Sequence, residues 1–122
     1  MIIALASEDS RGLDSILSHH FGRCPYYTFV EVEGKEIRNT ISEKNPYFDA
    51  HNPGQVPAYI NSKNVDVMIS GGMGARAVDF FRQFGIKPVT GVTGTVKDVV
   101  QAFIEGRIDG VEPCEESKAH GH

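Results

Sequence analysis

The stretch Met1-Ile-Ile-Ala-Leu-Ala6 is apolar at every position. A run of this kind suits a central strand buried on both faces, which in turn requires covering layers on each side of a sheet. Val65 to Ser70 reads as a second buried strand, and Gly71-Gly72-Met73-Gly74 turns it into a helix. Along that helix Ala77, Val78, Phe81 and Phe84 repeat at three and four residues, and Gly85 ends it. Ile86 to Val92 returns as a strand. Thr95, with Asp98 three residues on as a weaker capping box, opens a further helix carrying Val96, Val99, Val100, Phe103 and Ile104 on one face. Successive strand-helix-strand units of this type pair in parallel.

The earlier part of the chain is different. Tyr26 to Val32 and Lys35 to Ile41 are strands joined by the short Glu33-Gly34 turn, an antiparallel hairpin. A helix follows, with Asn52 as N-cap, Pro53 at its first position, Val56, Tyr59 and Ile60 turned inward, and a stop at Asn61 to Asn64. The order β-β-β-α-β-α-β-α predicts an α/β fold with a mixed five-stranded sheet and three helices. Residues 1–111 are expected to form one domain, and Glu112 to His122 a flexible polar tail. Two long polar loops stand out: Ser7 to Pro25, with a helical turn near Asp14 to Ser18, and Ser42 to Asn52. Both emerge at the same sheet edge as the Gly71 to Gly74 and Gly91 to Gly94 turns, where open α/β sheets bind ligands.

Charge narrows the partners. Among 122 residues, 12 Lys and Arg against 16 Asp and Glu give a net charge of −4, without the basic footprint that phosphate backbones select, so no nucleic acid is expected. The opening apolar run is far short of the ~20 residues that span a bilayer, and no signal-peptide pattern precedes a longer one, so no membrane is expected and the location is read as cytoplasmic. There, two cysteines are thiols rather than a disulfide framework.

The chemistry-bearing residues gather in the first loop. His19-His20-Phe21-Gly22-Arg23-Cys24 places two imidazoles and a thiol within six residues, and His20 and Cys24 are suitable ligands for zinc, soft iron or an iron-sulfur species. A packing role for Cys24 beside Pro25, with His19 and His20 orienting the loop, remains open beside that reading. His51 ends the second loop on the same edge, just before a helix start that favours an anionic group. Gly71 and Gly72 lack P-loop and dinucleotide spacing and are read as a close-approach turn admitting a bulky ligand. Met73 is read as packing, as are Phe80, Phe81, Phe84 and Phe103. Glu8, Asp9 and Asp14 are read as solvated charges, since a two-metal hydrolase places its carboxylates on or beside strands and Met1 to Ala6 holds none. Cys114, His120 and His122 form a tail with no rigid support for a metal.

Ser7, Leu13-Asp14 and Ser18-His19-His20-Phe21-Gly22-Arg23-Cys24-Pro25-Tyr26-Tyr27 together resemble the signature of the dinitrogenase iron-molybdenum cofactor biosynthesis family. Asn64 to Gly74, Ala77, Gly85-Ile86 and the helix from Gly94-Thr95-Val96 to Gly106 resemble the rest of its pattern, so the likeness runs from Met1 to about Gly110. The resemblance implies a ribonuclease H-like sheet without nuclease activity. It also implies a non-enzymatic carrier, related to nitrogen fixation, for an iron-sulfur or iron-molybdenum type cluster or its precursor, partnered by metal-cluster assembly proteins. His20 and Cys24 map onto the loop signature, and His51 is similar to a histidine in some members. The expected cofactor-binding set is therefore His20, Cys24, His51, Gly71 and Gly72, with His20, Cys24 and His51 as metal ligands. Two thiols cannot enclose such a cluster, so histidines or a second subunit in a homodimer must supply the remainder. Two alternatives stand beside the carrier: an interaction domain partnering an iron-sulfur assembly ATPase, and a phosphate-binding enzyme or hydrolase using the loop carboxylates.

Overall fold

The computed structural model describes residues 1–48 and 54–108. Five strands form one mixed sheet: β1 (Ile2–Ser7), β2 (Tyr26–Glu33), β3 (Glu36–Lys44), β4 (Val67–Ile69) and β5 (Lys87–Val89). The spatial order is β3-β2-β1-β4-β5. Antiparallel pairing joins β1 to β2 and β2 to β3, and parallel pairing joins β1 to β4 and β4 to β5. The expected α/β architecture and strand directions are therefore present.

Because β1 alternates its side chains between two faces, it holds both halves of the core. Ala4 and Ala6 face the layer of α1 (Gln55–Asn61) and α2 (Ala75–Phe84), among Tyr27, Val56, Ile60, Met68 and Phe81. Ile3 and Leu5 face α3 (Val96–Ile104), among Val30, Val67, Ile69, Val96 and Val100. All four β1 side chains are fully buried.

The boundaries differ from expectation in several places. The hairpin turn falls on Gly34 and Lys35, one residue later than expected, with Gly34 at φ +63°, where an Asn, Asp or Gly is favoured. β3 runs on to Lys44 because its polar residues lie at the sheet edge, facing water while still pairing through the main chain with Tyr26 to Phe29. The first loop contains a 3-10 turn at Gly12–Asp14, earlier than the expected turn at Asp14 to Ser18. α1 starts at Gln55 after Gly54 at φ +91°; Asn52 and Pro53, the expected cap and first turn, lie outside the described residues, as does the tail. Phe81 is buried, but Phe84 is 38% exposed and stacks on Phe80 at the helix surface.

α3 opens as expected: the Thr95 side chain accepts a hydrogen bond from the Asp98 N–H at 3.1 Å. Thr95→Ala removes that cap and is expected to cost about 1 kcal/mol, lowering the thermal midpoint by about 4 °C. An unchanged melting curve would show that the cap contributes nothing here.

Candidate functional site

The first loop does not hang free from the sheet. Its Ser18 N–H donates to the Ala6 carbonyl at 2.7 Å, and the Ser18 carbonyl accepts from the Gly71 N–H at 2.9 Å. The Leu17 N–H donates to Gly94 O at 2.9 Å, and the Val96 N–H to Ser15 O at 2.8 Å. These bonds tie the loop to the ends of β1 and β4 and to the start of α3. After β1 the chain turns toward β2, and after β4 toward β5, so the crevice between their carboxyl ends is a switch point where α/β sheets bind ligands.

His20 sits at that crevice, paired with Gly72 through a parallel backbone bridge. Ser18 pins it, since its hydroxyl accepts from the His20 N–H at 3.2 Å and bonds the His20 carbonyl at 3.3 Å. The next residue, Phe21, is the anchor. Its ring is buried, meets Phe81 edge-on at 5.1 Å between centroids and lies beside Tyr27. Burying such a ring contributes about 2 kcal/mol, which adds to the main-chain bonds that tie the loop to the sheet. With Phe21 turned in, His19 and His20 are both exposed.

Cys24 does not join them. It is 1% exposed and belongs to the apolar cluster under α1 and α2, and its thiol donates to the Phe21 carbonyl at 3.4 Å. Burial pushes that thiol up to about 11, so the free thiol stays protonated at neutral pH. Cys24 thus packs in the apolar cluster instead of standing, as the sequence reading expects, beside the exposed His20. His51, like Cys114, His120 and His122, lies outside the described residues. Among the described residues, no three His, Cys, Asp or Glu side chains come together in a group that could hold a metal ion. Asp9, one of the loop carboxylates, bonds the Arg11 N–H and guanidinium, each at 3.0 Å, and these hold its carboxyl below the usual range.

The glycine turn has a different use from the one expected. A Cβ on Gly71 would lie 2.8 Å from His19 Cα and 3.1 Å from His19 Nδ1, and one on Gly72 would lie 3.1 Å from the His19 carbonyl oxygen. His19 makes the close approach that was assigned to a ligand. Met73 packs in the core, as expected.

Two contributors were missed. The sequence assigns His19 only an orienting part, yet it packs on Gly71 and Gly72, which lie far along the chain and leave no local signal beside it. Asn45, 2% exposed, was not singled out at all. Its side-chain amide donates to the Cys24 carbonyl at 2.9 Å and the Gly22 carbonyl at 3.3 Å, and its oxygen accepts from the Tyr47 N–H. One buried amide thereby clips the first loop to the segment after β3, a tertiary pairing with no local sequence signature.

The profile of the dinitrogenase iron-molybdenum cofactor family matches residues 1–106. The chain belongs to that family. Among family-like proteins, an uncharacterized protein of Methanocaldococcus jannaschii, MJ0580, is 32% identical over 114 residues, covering 92% of each chain. The crystal structure of PH0822 superposes with a TM-score of 0.81 at 36% identity, over 90% of this chain and 94% of that one. The NMR structure of the Thermotoga protein TM1290, described as a candidate NifB protein of the DUF35 family, gives 0.75 at 29% identity over 89% and 91%. The family assignment therefore agrees with the signature at Ser18 to Tyr27. No helix among the described residues is long and apolar enough to cross a membrane.

Gly71→Ala forces a Cβ against main-chain atoms, which cannot swing aside as a side-chain tip would. We expect a loss of about 1–3 kcal/mol in denaturant unfolding; a change within about 0.5 kcal/mol would mean that the turn yields freely. For Cys24, a thiol near 11 is thiolate in only about one molecule in a thousand at pH 8. In a Cys114→Ser background, iodoacetamide at pH 8 should leave Cys24 unmodified in the folded protein and modify it in denaturant. Rapid native labelling would place the thiol at the surface.

Proposed function

We propose that this chain binds a metal-sulfur cluster of the iron-sulfur or iron-molybdenum type, or a precursor of one, and carries it between cofactor-assembly proteins without transforming it. The observation that carries this reading is the exposed His20, fixed by Ser18 and Gly72 at the crevice between β1 and β4. A fixed, solvent-facing imidazole is a ready ligand for an incoming metal centre. α2 begins after Gly74, which provides no side-chain cap, and the positive end of that helix favours an anionic group such as a sulfur cluster. With a net charge of −4, the protein gains little from long-range attraction to such a cargo, so retention depends on these local donors. A site with few protein ligands also lets its cargo leave, which suits a carrier in the cytoplasm. His51 is the further ligand we assign to the same edge, from its sequence position alone.

The strand order is the one we take as ribonuclease H-like, and the lack of acidic residues on β1 supports a non-enzymatic role. The hydrolase alternative draws no support from Asp9, whose carboxylate is engaged by Arg11. An interaction domain would be favoured by an apolar edge with the histidines turned into the core, and both loop histidines are exposed.

Anaerobic loading with iron and sulfide, followed by visible absorption, tests the reading. The parent should develop sulfide-to-iron charge-transfer bands, His20→Ala and His51→Ala should lose at least about half of the loading, and Cys24→Ser should retain it. A parent that takes up no cluster, or a His20→Ala variant that loads as well as the parent, overturns the proposal.

A further inference from the structure

The two edges of the sheet are guarded differently. β5 is short and carries Lys87 and Pro88, a charge and a residue without an N–H, which discourage a further strand. β3 has nine residues and, among the described residues, pairs only with β2. Its first part is blunted as well. Ile37 faces Val32 and Asn39 faces Glu31, so Arg38 is an extra, bulged residue, and its guanidinium is bonded to Glu33 at 2.9 Å. Beyond the bulge, Thr40-Ile41-Ser42 has no charge and no proline, and Ile41 is 50% exposed.

Alternation fixes which main-chain groups this stretch offers. The Asn45 N–H donates to the Pro25 carbonyl at 2.9 Å, so Asn45, Glu43, Ile41 and Asn39 turn their main-chain groups toward β2. The N–H and C=O groups of Thr40 and Ser42 therefore point outward from the sheet. A second β3 can pair with them about a two-fold axis only in registers that set outward groups against outward groups. Centring on Thr40 sets Ser42 against the bulged Arg38, where the spacing is broken. Centring on Ser42 sets Ile41 against Glu43, whose carboxylate is held by Tyr59 and Lys63 at 2.6 and 2.9 Å. Centring on Ile41 makes Thr40 of each copy exchange main-chain hydrogen bonds with Ser42 of the other, and it brings the two exposed isoleucines together on one face.

We infer that the outer edge of β3 is a self-association surface, where two copies of this chain pair antiparallel across Ile41 and join their sheets into one. The contact is short, so it holds weakly, as a dimer that forms with rising concentration. Within one copy β1, β3 and β4 run in the same direction. In the second copy they run the opposite way, which puts the two crevices at opposite ends of the joined sheet. Such a dimer lends no ligand from one copy to the other. β2 stands between this edge and the crevice beside β1, and the pairing does not depend on what the crevice holds.

The test uses the full chain with Cys114→Ser, in reductant and a metal chelator, so that neither a tail disulfide nor a shared ion joins two copies. In sedimentation velocity the mean mass should rise toward that of a dimer between about 20 µM and about 1 mM. Ile41→Lys and Ser42→Pro should remain monomeric over the same range. Ser42→Pro removes only an outward N–H, so both variants should keep the parent's far-UV spectrum and thermal midpoint; should Ser42→Pro melt early, Ile41→Lys decides alone. Cross-linking reads the register. Opposed residues in an unbonded antiparallel pair lie about 4.5 Å apart at Cα, within disulfide reach, whereas Thr40 of one copy and Thr40 of the other lie beyond it. In oxidising buffer Ile41→Cys should therefore form a covalent dimer at least about tenfold faster than Thr40→Cys. A parent that stays monomeric at about 1 mM, as it would if the edge served another protein's strand, overturns the proposal. Association unchanged by Ile41→Lys, or cross-linking that favours Thr40→Cys, overturns it as well.

Discussion

The site depends on the main chain of Ser18, which is bonded on one side to Ala6 at the end of β1 and on the other to Gly71 at the end of β4. Ser18 is itself 1% exposed, so these bonds lie where water competes poorly and an unmade bond is costly. Through its hydroxyl the same residue holds both main-chain groups of His20. One buried serine thus transmits the position of two parallel strands to an exposed imidazole. The loop that is long and irregular in sequence is tied by main-chain hydrogen bonds to the sheet beneath it.

Much of this architecture is legible in the sequence because it rests on local chemistry. The apolar run of β1 predicts burial on both faces, and the faces prove to belong to different helices. Thr95 and Asp98 announce a helix start that is made as read. The glycine after α2 is left-handed at φ +78° and stops that helix. Edges and tips were harder. β3 is polar, so its continuation to Lys44 depends on register with β2 rather than on its own pattern. Phe84 fits the apolar stripe of α2 but lies in its last turn, where it stays 38% exposed.

At the site, the sequence marks residue types but not the directions they take. His20 is exposed. Cys24 carried the same chemistry and went the other way, because Phe21 and Tyr27 close over it. The Tyr27 hydroxyl donates to the Phe21 carbonyl at 2.5 Å, the same acceptor that the Cys24 thiol uses. Alternation between inward Phe21 and Cys24 and outward His19, His20 and Arg23 is set by this three-way contact, which spans two elements and leaves no periodic trace. Asn45 and His19 escaped notice for a related reason: each acts through partners that are distant along the chain.

The pairing of His20 with Gly72 joins residues from opposite halves of the chain, and that separation bears on when the site comes into being. Contacts between distant segments form only after the intervening chain has been ordered. The first loop, though made early, has nothing to brace its histidines until β4 has docked against β1 and brought Gly71 into reach. A nascent or partly unfolded chain therefore presents the histidines without the geometry, and the arrangement exists only on a finished molecule.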